Sequence, residues 1–453
     1  MKMLTPLCLV VLLAAAFAAD KPAPRWRAGA ASAKITPAGP MWMAGYASRN
    51  KPSEGVELDL FAKALVVEDR DGGRFALITM DLIGVPRNVR LHVAGQVQKR
   101  FGIAPERLAI NASHTHSGPE LRTSSVHGTD DPAQREAEAA AYTDRLQETL
   151  VSLVGEALEK SVPAELHHGR ARCGFAMNRR TPDGKGGWSN FPNPDGPVDH
   201  SVPVLKAADA EGREIAVVFG YACHCTTLSH QKFSGDYAGY AQQALEKAHP
   251  GVTAMFMNGC SGDQNPYPRR TQELAETHGK SLATAVEAAL TTHLLPLTGG
   301  IRSAFREIPL AYDTPPTREQ LLETQKSATA SALDKAHAGR VLARLDREGT
   351  LPAEYPYPVQ VIRLGDQLTW VTLGGEVVVD YALRLKAEIK DPVVWVSAYT
   401  NDVPSYIPSL RVWKEGGYEG GDAMKWGTHP TRWSSRTEEH IIGTVHELRK
   451  TLE

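Results

Sequence analysis

LFAKALVVEDRDGGRFALITMD, residues 60–81, decides the architecture. Residues 60–68 and 74–81 are two runs rich in apolar and β-branched side chains, and Asp71-Gly72-Gly73 between them is a turn. Two such runs around a glycine-containing turn form a hairpin. Working outward, 29–37 opens the domain, 88–101 reads as a helix and 108–111 as a short strand. Residues 137–160 form a long amphipathic helix, because Leu146, Leu150, Leu153, Val154 and Leu158 recur at helical spacing. Residues 202–205 and 215–222 are strand-like, and 236–247 and 271–290 are helical. The polar stretch 317–348 is one long helix or a helical hairpin. Residues 357–364 and 369–373 form a second hairpin around Gly365-Asp366-Gln367, whereas 174–197, rich in Gly, Pro and Asn, reads as a long loop. No repeat and no clean βαβ rhythm is present, so the class is α+β or mixed α/β, with sheets flanked by helices.

Composition narrows the function. Lys+Arg 50 against Asp+Glu 52 gives a net charge of −2, so no global field draws nucleic acid or anionic lipid. Residues 1–18 read as a secretory signal peptide: a basic start at Lys2, an apolar run over 4–18, and Ala16-Phe17-Ala18 as the cleavage site. The run is shorter than the ~20 residues a membrane span needs. The expectation is export, to the periplasm or outside the cell, without a transmembrane segment. Cys173, Cys223, Cys225 and Cys260 are too few for a disulfide framework. Cys223 and Cys225 flank His224, but alternate side chains of a strand face opposite ways. Both thiols then belong to the core or to a disulfide, and the imidazole points elsewhere.

Chemistry concentrates at strand ends. Ser113-His114-Thr115-His116-Ser117-Gly118-Pro119 follows the strand 108–111, and histidines at i and i+2 share one face of an extended chain, a geometry suited to a metal. His224 ends the apolar run IAVVFGYACH. Asp236 and the segment 258–266, NGCSGDQNP, are glycine-rich turns bearing carboxylates, amides and hydroxyls. Glu376 follows a strand and two glycines, where a helix would begin. It is a helix-terminal carboxylate favoured by the macrodipole, or the carboxylate of a His₂Glu zinc site with one open position. HExxH, paired CxxC, GxSxG and Walker A patterns are absent, which removes the zincin, zinc-finger, α/β-hydrolase and P-loop readings.

In this order SHTHSGP, YACHCTTL, SGDYAGYA, SGDQNP, GGEVVVDYALRLK and NDVPSYIPS with GYEGG resemble the neutral (non-lysosomal) ceramidases. The segment 45–69 and MNRR at 177–180 resemble them too. The resemblance implies a catalytic domain over 19–453 and a Zn²⁺-dependent hydrolase that cleaves an N-acyl amide with metal-activated water. It implies His114, His224 and Glu376 as zinc ligands and His116 as the contact to the substrate carbonyl or oxyanion. Tyr406 joins the catalytic set, and the fourth ligand is Tyr406, Tyr399 or water. Asn265 stands where the family has its catalytic serine; an amide is no nucleophile but can donate to an oxyanion. Val403 falls in the register of a metal-binding tyrosine. With the sequence ending soon after GYEGG, the expectation is a short form without the family's immunoglobulin-like C-terminal domain.

The expected partner is a small amphiphile, or a glycan. A carbohydrate-active zinc enzyme, a sugar deacylase or a glycan-cleaving enzyme, is the alternative, with Trp188, Trp395, Trp413 and Trp426 as stacking platforms or as plain core. A zinc-binding module with decayed catalysis is the third reading. Asn111-Ala112-Ser113 matches a glycosylation sequon but lies inside the expected site.

Overall fold

The computed structural model describes residues 25–121, 131–292 and 294–453. The expected signal peptide lies outside the described residues. Two sheets share one core. The larger has nine strands, eight of them neighbours in the order Thr253–Asn258, Glu214–Tyr221, Ser201–Asp209, Val162–Arg172, Trp26–Lys34, Phe61–Asp69, Arg74–Met80 and Leu108–Ala112. The pair at each end of this path is parallel and the inner pairs are antiparallel. The smaller sheet runs Ile301–Ala311, Glu354–Leu364, Leu368–Leu373, Val393–Ser397, with its last pair parallel.

The hairpin of 60–81 explains the layering. Alternate residues point to opposite faces, and here both faces are apolar. Ala62, Ala64, Val66, Ala76, Ile78 and Met80 pack with the helices Arg87–Phe101 and Pro132–Glu159. Leu65, Val67, Phe75 and Leu77 meet Ile362, Leu364 and Trp370 of the smaller sheet. The helices Asp236–Ala248 and Gln272–Thr291 cover the Glu214–Tyr221 end of the larger sheet, opposite the smaller one. Tyr357, Val359, Val361 and Leu373, on the outer face of the smaller sheet, lie under Asp380–Glu388 and Thr437–Lys450. The order of layers is helix, sheet, sheet, helix, an α+β fold. Between the sheets the rings of Trp370 and Trp395 stack at 4.5 Å, and Trp370 Nε1 donates to Ser397 Oγ at 2.9 Å.

One junction brings the far edges of the larger sheet together. The backbone N–H of Asn258, which ends one edge strand, donates to Asn111 Oδ1 near the end of the other (3.1 Å), and Asn258 Nδ2 donates to Ser113 O (3.0 Å). Asn111 Nδ2 donates in turn to Ala398 O (2.7 Å) and Thr400 Oγ1 (3.0 Å), tying in the segment after Val393–Ser397. Asn111 is wholly buried, which disposes of the sequon as a glycan acceptor.

Several elements differ from expectation. Residues 174–197 are not a plain loop: Ala176–Pro182 and Trp188–Asn193 pair antiparallel, and Gln264–Pro266 joins them. Arg180↔Asn190 and Thr181↔Ser189 hold the register although proline and glycine dominate the composition. The stretch 317–348 is the helical hairpin, Arg318–Lys326 and Ala332–Glu348, broken where Ser331 caps the second helix by accepting from Asp334 N. Glu376 does not start a helix; Glu376–Val377 pairs parallel with Tyr406–Ile407, and the helix begins at Asp380. All four described cysteines are free, buried thiols, so the core alternative holds and the disulfide one does not.

The junction is open to a direct check. Asn111→Leu conserves volume but strands the N–H of Asn258 in the core, whereas the carbonyl of Ala398 keeps the hydroxyl of Thr400. With about 1–3 kcal/mol for a buried unsatisfied group, we expect a loss of about 1–3 kcal/mol. Urea unfolding followed by tryptophan fluorescence reads it; an unchanged midpoint would show that the junction is not what closes the sheet.

Candidate active site

Five chain segments, each past the carboxyl end of a strand, converge beside that junction with the hairpin of Ala176–Pro182 and Trp188–Asn193. His114 follows Leu108–Ala112, His224 follows Glu214–Tyr221, Ser261 and Asp263 follow Thr253–Asn258, and Glu376 follows Leu368–Leu373. Tyr399 and Tyr406 follow Val393–Ser397, and Asn265 sits on Gln264–Pro266 beside Arg179 of the hairpin. Parallel strands end together, so the loops beyond them meet at one rim.

Local backbone bonds aim each side chain. His114 N–H donates to Leu82 O (3.0 Å), His116 N–H to Cys225 O (3.2 Å) and His224 N–H to Gln264 O (2.9 Å). Glu376 N–H donates to Ser405 O (2.9 Å). Gly262 allows the approach, since a Cβ there would lie 2.5 Å from Glu376 O. The two histidines of SHTHSGP do converge, but not because the chain is extended: His114 is left-handed, at φ 63°. The turn, not strand alternation, places His116 Nε2 at 3.1 Å from His114 Nε2. His224, by contrast, faces away from its cysteines, which sit in the helix-side core.

The donor set follows from hydrogen bonding. His114 Nδ1 lies 2.6 Å from Ile83 O, and His224 Nδ1 lies 2.6 Å from Ser261 O. A carbonyl only accepts, so each Nδ1 carries the proton and the neutral ring leaves Nε2 with its lone pair. Burial, with Arg179 adding to it, pushes the His224 pKa down to about 3, so that ring is neutral. His116 is likewise held well below its ordinary value, first by burial and then by His114 and His224. Glu376 Oε2 is 3.0 Å from His114 Nε2 and 3.2 Å from His224 Nε2, yet it has no hydrogen-bond partner. Burial raises the Glu376 carboxyl, and positive charge facing it from the side of His114 and His224 outweighs this and holds it well below the carboxylate range; with both Nε2 atoms proton-free, that charge is a cation's to supply. The three imidazoles offer nitrogens all within 4.8 Å of one another. Bare nitrogens and an ionised oxygen aimed at one point repel each other unless a cation lies among them, and this set suits a metal ion.

A polar second layer backs the donors. Tyr406 Oη stands 3.2 Å from His224 Nε2 and accepts from Arg179 Nη2 at 2.9 Å. Arg179 also donates to Asn265 Oδ1 (3.3 Å) and, through Nε, to Glu419 Oε1 (2.8 Å). Glu419 takes Arg180 Nη1 at 2.6 Å. Asn265 Oδ1 accepts from Thr226 as well (3.3 Å), and its amide N–H groups go to Asn190 and Tyr267. The ring of Tyr399 lies 4.5 Å from that of His114, and its hydroxyl accepts from Ser261 Oγ at 3.0 Å.

The sequence-derived residues therefore divide. His114, His116, His224, Glu376 and Tyr406 meet; Asn265 joins them through Arg179; Tyr399 packs behind His114. Val403 stays in the core of the outer layers, its side chain over Gly84. Trp395 lies between the sheets, while Arg180 covers one face of Trp188 and Arg432 one face of Trp413. Arg179 and Glu419 also belong to the site, and their signal in the sequence is the resemblance carried by MNRR and GYEGG. A cavity of about 600 Å³, lined by Gly416, Gly420, His337 and Lys425, opens between the helical hairpin and the Glu419 segment, away from the imidazoles.

Comparison with known proteins places this arrangement. Residues 26–267 match the model of the neutral/alkaline non-lysosomal ceramidase N-terminal domain. The chain belongs to that family. Neutral ceramidase B of Dictyostelium discoideum is 26% identical over 247 residues, 50% of this chain and 33% of that one. Neutral ceramidase of Pseudomonas aeruginosa is 26% identical over 270 residues, 56% of this chain and 39% of that one. The matches thus span only about a third to two-fifths of these relatives' length. In fold, the crystal structure of neutral ceramidase from Pseudomonas aeruginosa superposes with a TM-score of 0.71 at 21% identity, covering 95% of this chain and 75% of that one. A ceramidase complexed with C2 gives 0.72 at 18% identity over 95% and 76%. The ceramidase-like fold therefore runs through almost the whole chain, well beyond the family-model match.

The buried Arg179–Glu419–Arg180 triad carries a stability prediction. Glu419→Gln leaves two buried guanidinium groups short of a carboxylate and should cost about 3 kcal/mol, the range for breaking a buried pair. Burial raises the Glu419 pKa, but Arg179 and Arg180 outweigh that and depress it. Its contribution is then fully present above the ordinary pKa of about 4.3 and lost as pH falls through the depressed folded value. Unfolding midpoints between pH 3 and 7 should fall more steeply on the acid side for the parent than for Glu419→Gln; parallel curves would exclude the ionised triad.

Proposed function

We propose that this chain is a zinc-dependent hydrolase that cleaves the amide of a ceramide-like N-acyl amphiphile, with His114, His224 and Glu376 holding the metal. The observation that carries the reading is the convergence of proton-free His114 and His224 nitrogens on the unpartnered, ionised Glu376 oxygen, in a chain of the ceramidase family. When bound, Zn²⁺ supplies Lewis acidity to the scissile carbonyl and a water whose pKa falls towards ~7. The chain's own groups do the remainder.

Ile83 O and Ser261 O fix the tautomer and rotation of the two ligand rings. His116 has no partner at Nδ1 and keeps Nε2 within the cluster, so it is uncommitted and suited to carry a proton between water and the leaving amine. Tyr406 accepts from Arg179, and its own hydroxyl hydrogen, which faces His224 Nε2 here, would be free for a developing oxyanion when that nitrogen holds the metal. Asn265 is held at Oδ1 by Arg179 and Thr226 and acts as a fixed polar wall rather than a nucleophile. Over the reaction, the water oxygen bonds to the acyl carbon, the C–N bond breaks, and the proton passes to the amine. The products are a carboxylate and a free amine.

Export completes the proposal: residues 1–18 direct the chain out of the cytoplasm, and among the described residues no helix is long and apolar enough to cross a membrane.

The test is turnover of a fluorescently labelled ceramide by the zinc-loaded chain, with His224→Ala and metal analysis alongside. The parent should carry roughly one zinc per chain, and His224→Ala should lose both the metal and turnover. Stoichiometric zinc retained in His224→Ala would remove the ligand assignment; a zinc-loaded parent inert on the labelled amide would remove the ceramide-like substrate.

A further inference from the structure

We infer that the substrate carries an anionic group, which Arg269 and Arg270 hold at the outer end of the site. This deepens the proposed function and rests on that hydrolase reading for its chemistry. The chain has two adjacent arginine pairs near the cluster, and they are treated differently. Arg179 and Arg180 are buried and neutralised by Glu419 and Glu415. Arg269 and Arg270 have no carboxylate within ion-pair distance among the described residues; Arg269 is half-buried and Arg270 exposed.

Each of these two stands one aromatic ring from a site group. The Arg269 guanidinium lies 5.3 Å from the Tyr267 ring centroid, and Tyr267 Oη accepts from Asn265. The Arg270 guanidinium lies 5.6 Å from the Tyr46 ring, with Nη1 donating to Tyr46 Oη at 3.3 Å, and the Tyr46 ring packs 4.8 Å from His116. One arginine thus flanks the Asn265 wall and the other flanks His116. No compensating negative charge comes from behind: Arg49, under His116, donates to neutral acceptors, Met43 Sδ, His230 O, Gln231 Oε1 and His116 O. Asp236, which acts on Tyr46, is fully buried and engaged by the N–H groups of Leu228 and Tyr237. Burial and then Arg270 push the Arg269 guanidinium down, the mark of a cation short of a counter-ion.

Two guanidinium forks without a carboxylate partner among the described residues match a carboxylate or another oxyanion. The geometry fits an N-acyl amide whose amine half bears such a group. Hydrolysis then consumes one water and yields a fatty carboxylate and an anionic amine, such as an amino acid.

The probes are N-dodecanoylglycine and its neutral counterpart N-dodecanoylethanolamine, given to the zinc-loaded full chain and to Arg269→Gln/Arg270→Gln. We expect kcat/KM to favour the glycine conjugate by about tenfold or more in the parent, the effect of a well-placed charge pair. The ratio should collapse towards one in the double variant and shrink with added salt. A parent that prefers the ethanolamide, or a ratio unmoved by the double substitution, overturns the inference. If neither amide is cleaved, the labelled-ceramide assay decides the hydrolase reading on its own, and calorimetry with N-dodecanoylglycine decides the anion site. Binding about tenfold weaker in the double variant upholds it, and equal or absent binding overturns it.

Discussion

Everything chemical in this molecule depends on two buried asparagines closing a sheet upon itself. His114 follows the last strand of an eight-strand path and His224 the second, yet their rings lie 4.7 Å apart. The distance is spanned because Asn258 and Asn111 join the edge strands, and Asn111 then binds Ala398 of the second sheet. Three strand ends become one platform. An asparagine suits this position because its amide donates and accepts at once and brings no charge into the core. Edges joined in this way are also edges unavailable for pairing with another chain.

The platform holds a concentrated electrostatic problem. Glu376 is ionised and sits against two imidazoles whose protons face away from it, and behind them Arg179 contributes a fixed positive charge. Such a cluster is a poor way to stabilise a fold, since buried charge is costly unless fully paired. It makes sense as a site that becomes satisfied only on taking up a cation. Glu419 restrains Arg179 on the far side, so that guanidinium can polarise Tyr406 without competing for the same position.

Much of this was legible in the sequence, for reasons of differing strength. The hairpin of 60–81 was readable because both of its faces are apolar and its turn is marked by Asp71-Gly72-Gly73. The strands Val162–Arg172, Ile301–Ala311 and Val393–Ser397 went unassigned. The first buries Ala164, Leu166 and His168 alternately, but its interleaved arginines, histidine and glycine blur the period. The SHTHSGP histidines were found through the right residues and the wrong geometry. His224 could be separated from Cys223 and Cys225 by alternation alone. Arg179 and Glu419 were hidden because a buried ion pair joining residues 240 apart leaves no local pattern. Glu376 pointed to a helix start because two glycines precede it, whereas partnership with Tyr406–Ile407, a long-range contact, fixes it in a strand.

Backbone strain shows where the fold has been bent towards this purpose. Among the described residues, the non-glycine positions with positive φ are His114, Asp236, Arg270, Tyr399 and Asn401. Asn and Asp tolerate the left-handed region, but His, Tyr and Arg do so at a cost of about 1–2 kcal/mol each. The two aromatic cases face each other, the His114 ring 4.5 Å from the Tyr399 ring, and both adjoin the asparagine junction. Nothing in local sequence preference would produce that pair of conformations. They persist because Leu82 O takes the His114 N–H, and because Tyr399 donates its own N–H to Gly375 O while its carbonyl accepts from Ala112. The strain is thus held by tertiary hydrogen bonds that also carry Glu376's neighbour Gly375. Relaxing either residue would move a nitrogen donor and the carboxylate together, so ligand geometry and backbone strain form one coupled unit.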